Sequence, residues 1–212
     1  MTERSQIRAF TLTNLSDASC MSSVLLEAEG VSIICRIKAE VTKDPLLSSR
    51  RNLKARVTVS GEENATNEII NRLENVLSQL IPPDSIEKLQ LQVGFEILSL
   101  DGSLIDYCLN LAIYCLMLGN VPLRDTVASC TCVVSQEGKL IADPTREELS
   151  LAKGKVRIAA SSQRDKISDF ELVGEISEND HLKDSLGLAL SGAKAVMNNI
   201  IQRIVAREQG EN

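Results

Sequence analysis

The segment from Leu104 to Leu118 constrains the fold of this chain more than any other, because it is apolar almost all round a helix. A helix without a polar face must be buried on more than one side, so the segment predicts a helix in the interior of the protein. Its most apolar part, from about Leu109 to Leu118, is half of the roughly 20 residues that a membrane span needs. The sequence therefore predicts a core helix and no transmembrane segment.

The first half of the chain carries mainly strand patterns. Alternating apolar and β-branched residues predict strands over Ala9 to Leu15, Ser22 to Glu29, Val31 to Thr42, Lys54 to Val59 and Leu89 to Ile97. One amphipathic helix interrupts them, because the apolar residues between Asn64 and Leu80 fall at helical spacing. Pro82 and Pro83 end that pattern.

The second half alternates strands with helices. Predicted strands are Val127 to Val134, Leu140 to Ala142, Val156 to Ala160 and Phe170 to Ile176, with a hairpin turn at Ser135 to Gly138. A long closing helix is predicted from about Glu178 to Arg207. This order predicts an α+β fold whose sheets are covered on one side by helices, as a single domain over residues 1–212.

Composition narrows the class of protein. The 212 residues include 29 acidic and 23 basic ones, which gives a net charge of -6 and disfavours a nucleic-acid binder that works through bulk charge alone. The N-terminus, Met1 to Arg8, is polar and lacks the apolar core of a signal peptide, so we expect an intracellular protein. Two tyrosines, three phenylalanines and no tryptophan give poor support for a base-stacking platform.

The six cysteines favour core packing over chemistry. They form no C-x-x-C pair, and His181 is the single histidine, so neither a zinc site nor a disulfide framework is predicted. Cys130 and Cys132 share one face of a predicted strand, and Cys108 and Cys115 share one face of a predicted helix. A freestanding cysteine-dependent small-molecule enzyme is the alternative from another functional class, and the single histidine argues against it.

Other motifs leave alternatives open. Neither G-x-G-x-x-G nor a Walker P-loop occurs, so no nucleotide cofactor is predicted. Asp143, Glu147 and Glu148 could supply paired carboxylates, although turn and capping roles are the more usual explanation. Basic residues cluster only around the predicted fourth strand, where they form either a phosphate-contacting edge or a solvated strand edge protected by charge. These residues are Arg50, Arg51, Lys54 and Arg56.

Three segments in order carry a family resemblance: Leu100 to Ala112, Asn120 to Asp125 and Lys139 to Glu148. Together they resemble the central signature of the RNase PH superfamily, in the form taken by a eukaryotic RNA exosome ring subunit of the ribosomal RNA-processing protein 46 type. The resemblance extends along nearly the whole chain. Val24 to Ala39 is similar to the opening hairpin of the family, and Glu178 to Arg207 to its closing helix.

The resemblance implies an RNase PH-like (ribosomal protein S5 domain 2-like) fold, with mixed sheets and helices packed on them. It implies paralogous RNase PH-like partners in a heterohexameric ring, S1/KH-type cap subunits, RNA threading the channel, and neither a membrane nor a cofactor nor a metal. Such subunits are expected in the nucleus, including the nucleolus, and in the cytoplasm. Arg50, Arg51 and Lys54 become candidate RNA contacts, because their loop matches a region that faces the channel in related rings.

The chain departs from active members of the family at three places. The phosphate-binding turn, of Gly-Thr-Arg type, here reads Gly102 to Ile105, with Leu104 in place of the arginine. The position of a catalytic aspartate matches Leu149, or Glu148 with a one-residue shift. An arginine-rich stretch before the first helix is replaced by Gly61 to Asn64, which carries two glutamates. We therefore expect a catalytically silent subunit; the alternative within the family is a weakly active phosphate-dependent 3'-exoribonuclease subunit.

Overall fold

The computed structural model describes residues 6–41, 55–63, 65–82, 89–161, 166–176 and 179–209. The chain divides into two compact units. The first unit consists of Phe10–Leu100 and Tyr107–Asp125, and the second of Met1–Ala9, Asp101–Asp106 and Thr126–Asn212. A single domain over residues 1–212 stays a prediction.

A five-stranded mixed sheet forms the body of the first unit. Its strands are β1 (Phe10–Asn14), β2 (Ser22–Ala28), β3 (Val31–Val41), β4 (Ala55–Ser60) and β5 (Leu89–Ser99). The sheet order is β1-β2-β3-β5-β4, in which β4 runs parallel to β5 and the other neighbours are antiparallel. Alternate residues such as Val24, Cys35 and Val93 are fully buried, which confirms the predicted half-buried strands.

Two helices accompany this sheet. Helix α1 (Asn67–Leu80) begins after Thr66, whose hydroxyl accepts a hydrogen bond from the Ile69 amide at 3.4 Å. It buries the face formed by Leu73, Val76, Leu77 and Leu80. Helix α2 (Leu104–Leu118) has the predicted bounds, and every residue from Leu104 to Leu116 is buried. Its burial all round confirms the expectation from its apolar sequence.

The second unit contains a four-stranded antiparallel sheet of order β7-β6-β8-β9. These strands are β6 (Val127–Val134), β7 (Leu140–Ala142), β8 (Gly154–Ser161) and β9 (Ile167–Gly174). Helix α3 (Arg146–Ser150) is short, and helix α4 (Asn179–Glu208) closes the chain. The α+β prediction is confirmed.

Prediction from the sequence missed one helix of this unit and gave different bounds for one strand. Helix α3 was not predicted, since five residues are too few to show helical periodicity. The last strand was predicted over Phe170 to Ile176, but it begins at Ile167 and ends at Gly174, whose φ is +88°. A register shift between Ala159 and Ala160 breaks the alternation that reveals a strand in a sequence.

The core of the second unit lies between its sheet and α4. Cys130 and Cys132 contribute to it from β6, as predicted from their spacing. Their buried neighbours are Val156, Ile158, Ala160, Ala189 and Ala193. Small residues on α4 allow the helix to approach the sheet closely, and Gly192 lies against Cys130.

We expect Gly192→Ala to lower the free energy of unfolding by about 1 to 3 kcal/mol, because the new Cβ overpacks the core. That Cβ would lie 2.5 Å from the sulfur of Cys130. Gly187→Ala on the same helix is the control, since its Cβ meets nothing within 4 Å. The control should stabilise the protein by up to about 1 kcal/mol through helix propensity. Urea denaturation measures both, and equal effects would contradict the packing argument.

Candidate functional site

The start of helix α2 carries the turn that the family resemblance associates with phosphate. Gly102 is buried with a φ of 149°, a value that favours glycine. Leu104 follows as the first residue of the helix and is only 7% exposed. A buried aliphatic side chain offers no hydrogen-bond donor, so this turn lacks the guanidinium fork that binds phosphate.

Asp106, in the first turn of α2, is the centre of a buried polar cluster that the sequence did not reveal. Its carboxylate accepts a short hydrogen bond from the Ser129 hydroxyl and another from the Thr131 hydroxyl at 2.5 Å. The Thr131 hydroxyl also lies 3.4 Å from that of Ser103. Burial raises the pKa of Asp106, while the positive charge of Arg157 and these hydrogen bonds oppose the increase.

Arg157 is the second buried charge of this region. It lies on β8 opposite Thr131 and is 1% exposed. Its guanidinium donates to Asp169 at 2.5 Å and to Glu171 at 3.3 Å. Burial opposes its charge, but the nearby carboxylates outweigh burial and raise the pKa of Arg157. This guanidinium is therefore neutralised by carboxylates of the same unit.

A second ion pair fixes the end of β7. Asp143 has a left-handed φ of 49°, and its carboxylate binds the guanidinium of Arg8 through two contacts of 3.0 Å. The Arg8 backbone amide donates to the same carboxylate, also at 3.0 Å. Asp101 lies 3.8 Å from the Arg8 guanidinium. The bidentate pair supports the interpretation of Asp143 as a residue of the turn at the end of β7.

The acidic residues that follow form a capping box for α3. Glu148 accepts a hydrogen bond from the Thr145 amide at 2.8 Å, and the Thr145 hydroxyl accepts one from the Glu148 amide at 3.2 Å. Glu147 lies in the first turn of the helix, where a negative charge is favourable. The capping interpretation is thus confirmed, and Glu148 is already bonded within its own turn. Leu149, the other match to the family's catalytic aspartate, has no group that could act as an acid or base.

The turn before α1 is shaped by a glycine and carries acidic residues. Gly61 has a φ of +84°, and a Cβ on it would lie 2.2 Å from the carbonyl oxygen of Ile97. Glu62 and Glu63 follow, and Glu63 is exposed. A phosphate approaching this turn would meet negative charge.

The predicted RNA contacts Arg50, Arg51 and Lys54 lie outside the described residues. Arg56 is described, and it is exposed on β4. The side chain of His181 also lies outside the described part. The assignment of Arg50, Arg51 and Lys54 to RNA therefore stays a prediction.

Five of the six cysteines are buried thiols. All six are free, and only Cys20 is partly exposed. Burial raises the pKa of the Cys35, Cys108 and Cys130 thiols, and it raises that of Cys132 to about 12. Protonated thiols are poor nucleophiles, which argues against a cysteine-dependent enzyme.

Two further kinds of site were sought in the part of the chain that the structure describes. There, no cluster of three or more histidine, cysteine, aspartate or glutamate side chains is arranged to hold a metal ion. Within the same residues, no helix is both long and apolar enough to cross a membrane.

Two models of one protein family match this chain. Residues 6–122 match domain 1 of the 3' exoribonuclease family, and residues 125–192 match domain 2 of that family. The chain belongs to this 3' exoribonuclease (RNase PH) family. Among its relatives are proteins named exosome complex component RRP41 of Caenorhabditis elegans, at 27% identity, and Caenorhabditis briggsae, at 25%, each over 142 residues. The match covers 67% of this RNase PH-family chain and 56% of each relative, so it spans just over half of their length.

Solved structures show the same fold. Rice (Oryza sativa) Rrp46 superposes with a TM-score of 0.82 at 14% identity, over 96% of this chain and 97% of the rice chain. A chain of an archaeal exosome core superposes with a TM-score of 0.70 at 17% identity, over 92% and 87%. The predicted RNase PH-like fold, with mixed sheets and helices packed on them, is therefore confirmed.

The buried carboxylate predicts a pH dependence of stability. The raised pKa of Asp106 means that folding favours its protonated form, so stability falls as pH rises from about 4 towards the folded-state pKa. Asp106→Asn keeps an acceptor oxygen without the charge, and we expect it to remove this fall. Urea denaturation between pH 4 and 7 measures the difference between the two proteins. If the difference in free energy of unfolding between the two proteins does not change with pH, the prediction is wrong. Glu63→Gln at an exposed position is the control for the loss of one negative charge.

Proposed function

We propose that this chain is a non-catalytic subunit of an RNA exosome core ring and supports 3'-to-5' RNA processing and degradation by building the channel that RNA threads. Its partners are paralogous RNase PH-like chains in a heterohexameric ring, together with S1/KH-type cap subunits. The complex acts in the nucleus, including the nucleolus, and in the cytoplasm. The observation that carries the proposal is a family fold in which the first residue of α2 is a buried leucine.

Charge supports the non-catalytic part of the proposal. Phosphorolysis needs an inorganic phosphate held beside the RNA end, and a neutral aliphatic side chain cannot hold it. Arg157, a buried cation of the second unit, is bonded to Asp169 and Glu171, and Glu148 is bonded within its capping box. Ionised Glu62 and Glu63 before α1 would repel RNA phosphates.

The names of the similar proteins support the ring. Two relatives are named as exosome components, and two of the structures that superpose on this chain are rice Rrp46 and a chain of an archaeal exosome core. A ring subunit is also consistent with a structure that keeps the family fold while the described turn at the start of α2 carries a buried leucine and no cation. In this role the chain contributes surface and channel wall rather than a reaction.

The first test is affinity purification of the tagged full-length chain from its source cells at moderate salt, followed by quantitative mass spectrometry. We expect several RNase PH-like and cap-type proteins in amounts equal to the tagged chain. Recovery of the tagged chain alone would overturn the ring role.

A separate assay tests the absence of catalysis. The purified chain is incubated with inorganic phosphate and an RNA that has a free 3' end, and the release of nucleoside diphosphates is measured. We expect none above the level without phosphate. Phosphate-dependent release would instead establish a weakly active phosphorolytic subunit, and the ring role would then stand without the silent site.

The RNA contacts are tested by salt dependence. Replacing Arg50, Arg51 and Lys54 together with alanine should weaken RNA retention by the assembled complex and reduce the salt slope by about 2, since each cation lost from single-stranded RNA removes roughly 0.7. Assembly should be unaffected, because none of the three is expected in the core. RNA affinity is measured at salt concentrations from about 50 to 200 mM, and the slope of its logarithm against the logarithm of the salt concentration is compared with that of the parent complex.

A triple alanine variant of three exposed lysines in the second unit serves as the matched control. Replacing Lys153, Lys166 and Lys194 with alanine removes three positive charges, as the first variant does. We expect their loss to leave the slope nearly unchanged. An equal slope for the first variant and the parent complex would remove Arg50, Arg51 and Lys54 from the RNA path.

A further inference from the structure

The strand β9 forms an unusual edge of the second sheet. It pairs with β8 on one side, and no other strand of the described residues pairs with it on the other. Four of its eight residues are large, apolar and exposed: Ile167, Phe170, Leu172 and Val173. An exposed apolar edge is a surface on which another chain can add a strand.

One face of β9 carries apolar residues that lie next to core residues of β8. Ile167, Phe170 and Leu172 form what we call the apolar row, and each lies opposite a buried apolar residue of β8. Those opposite residues are Ala160, Ile158 and Val156, and all three belong to the core beneath α4. Leu172 itself remains 46% exposed. The apolar row is therefore an exposed extension of that core at the edge of the sheet.

The opposite face of β9 carries an acidic row, Asp169 and Glu171. Their cations lie one strand further in, on β8: Arg157 bonds both carboxylates, and Lys155 lies 3.3 Å from Glu171. An incoming strand would thus meet the carboxylates before the cations. Its own residues on that face must be basic or neutral, because like charges directly opposite each other destabilise a strand pair.

A second copy of this chain does not satisfy that requirement in the register that places Phe170 of both copies opposite each other. If β9 paired antiparallel with β9 of another copy about Phe170, Asp169 of each copy would lie directly opposite Glu171 of the other. Four carboxylates would then face one another between two strands. The net charge of -6 on each chain adds to the repulsion. The edge is suited to a different chain.

We propose that β9 is the docking edge for a strand of a paralogous RNase PH-like chain, which presents apolar residues to the apolar row and basic or neutral residues to the acidic row. This inference rests on the proposed ring role and names the surface and the partner chemistry that the role requires. Pairing of unlike surfaces also suits a closed ring, since it need not be self-complementary. Burial of Leu172 and its neighbours would remove the exposed apolar rim from water.

The test compares Leu172→Lys with Leu151→Lys in the tagged full-length chain. Leu151 is a matched control, because it is a similarly exposed leucine (49%) in the same unit and lies after α3. We expect Leu172→Lys to weaken binding of the paralogous chain by about 10- to 100-fold, as judged from the usual effect of exposing one buried leucine. The control should bind like the parent chain. Titration with the paralogous chain identified by mass spectrometry gives the affinities.

A cross-linking experiment covers the case in which the lysine variant fails to fold. Leu172→Cys and Leu151→Cys are each labelled in the free chain with a short sulfhydryl-directed photo-cross-linker and then assembled into the complex, with the parent chain as background for Cys20. Cross-links from position 172 to the paralogous chain, and none from position 151, support the proposal. Cross-links from position 172 to a second copy, to a cap-type protein or to nothing overturn it.

The two proposals fail differently. If no RNase PH-like chain accompanies the parent protein, the ring role fails and the docking edge fails with it. If such chains are recovered equally with the parent and with folded Leu172→Lys, and position 172 does not cross-link, then only the docking edge is wrong.

Discussion

Burial of helix α2 is the constraint on which the rest of the structure depends. A helix that is apolar almost all round and buried from Leu104 to Leu116 has no face exposed to water, so other elements must cover it on every side. In the first unit, the Ser22 hydroxyl donates to the Cys115 carbonyl at 2.8 Å, and this bond ties the helix to the start of β2. The family fold follows from this burial more directly than from any polar motif.

The same helix explains why polar groups at its start are so tightly paired. Asp106 is carried into the interior by the helix, and an uncompensated carboxylate there would cost several kcal/mol. The hydroxyls of Ser129 and Thr131 and the charge of Arg157 reduce that cost. Arg157 in turn is bonded to Asp169 and Glu171, so these four charged side chains compensate one another.

The strand β9 connects this internal pairing with the outside of the molecule. Its acidic residues balance Arg157, while its alternate residues leave an apolar rim exposed. A single strand therefore serves the stability of the unit on one face and carries the surface suited to assembly on the other. This division agrees with the proposed role as a subunit of a ring.

Much of the fold could be predicted from the sequence, because hydrophobic period and turn residues act locally. Helix α2 and strand β6 have the predicted bounds. The sequence alone also shows Leu104 at the position where the family resemblance implies an arginine. The pairing of Asp106 with Ser129 and Thr131 could not be predicted, since those residues are more than 20 positions apart and only the fold brings them together. Two features of the sequence could have indicated buried charges: an aspartate within an apolar helix and an arginine within the apolar run of β8. The sequence determined which segments had to be buried; the tertiary structure decided which buried charges met, because their partners lie on separate strands.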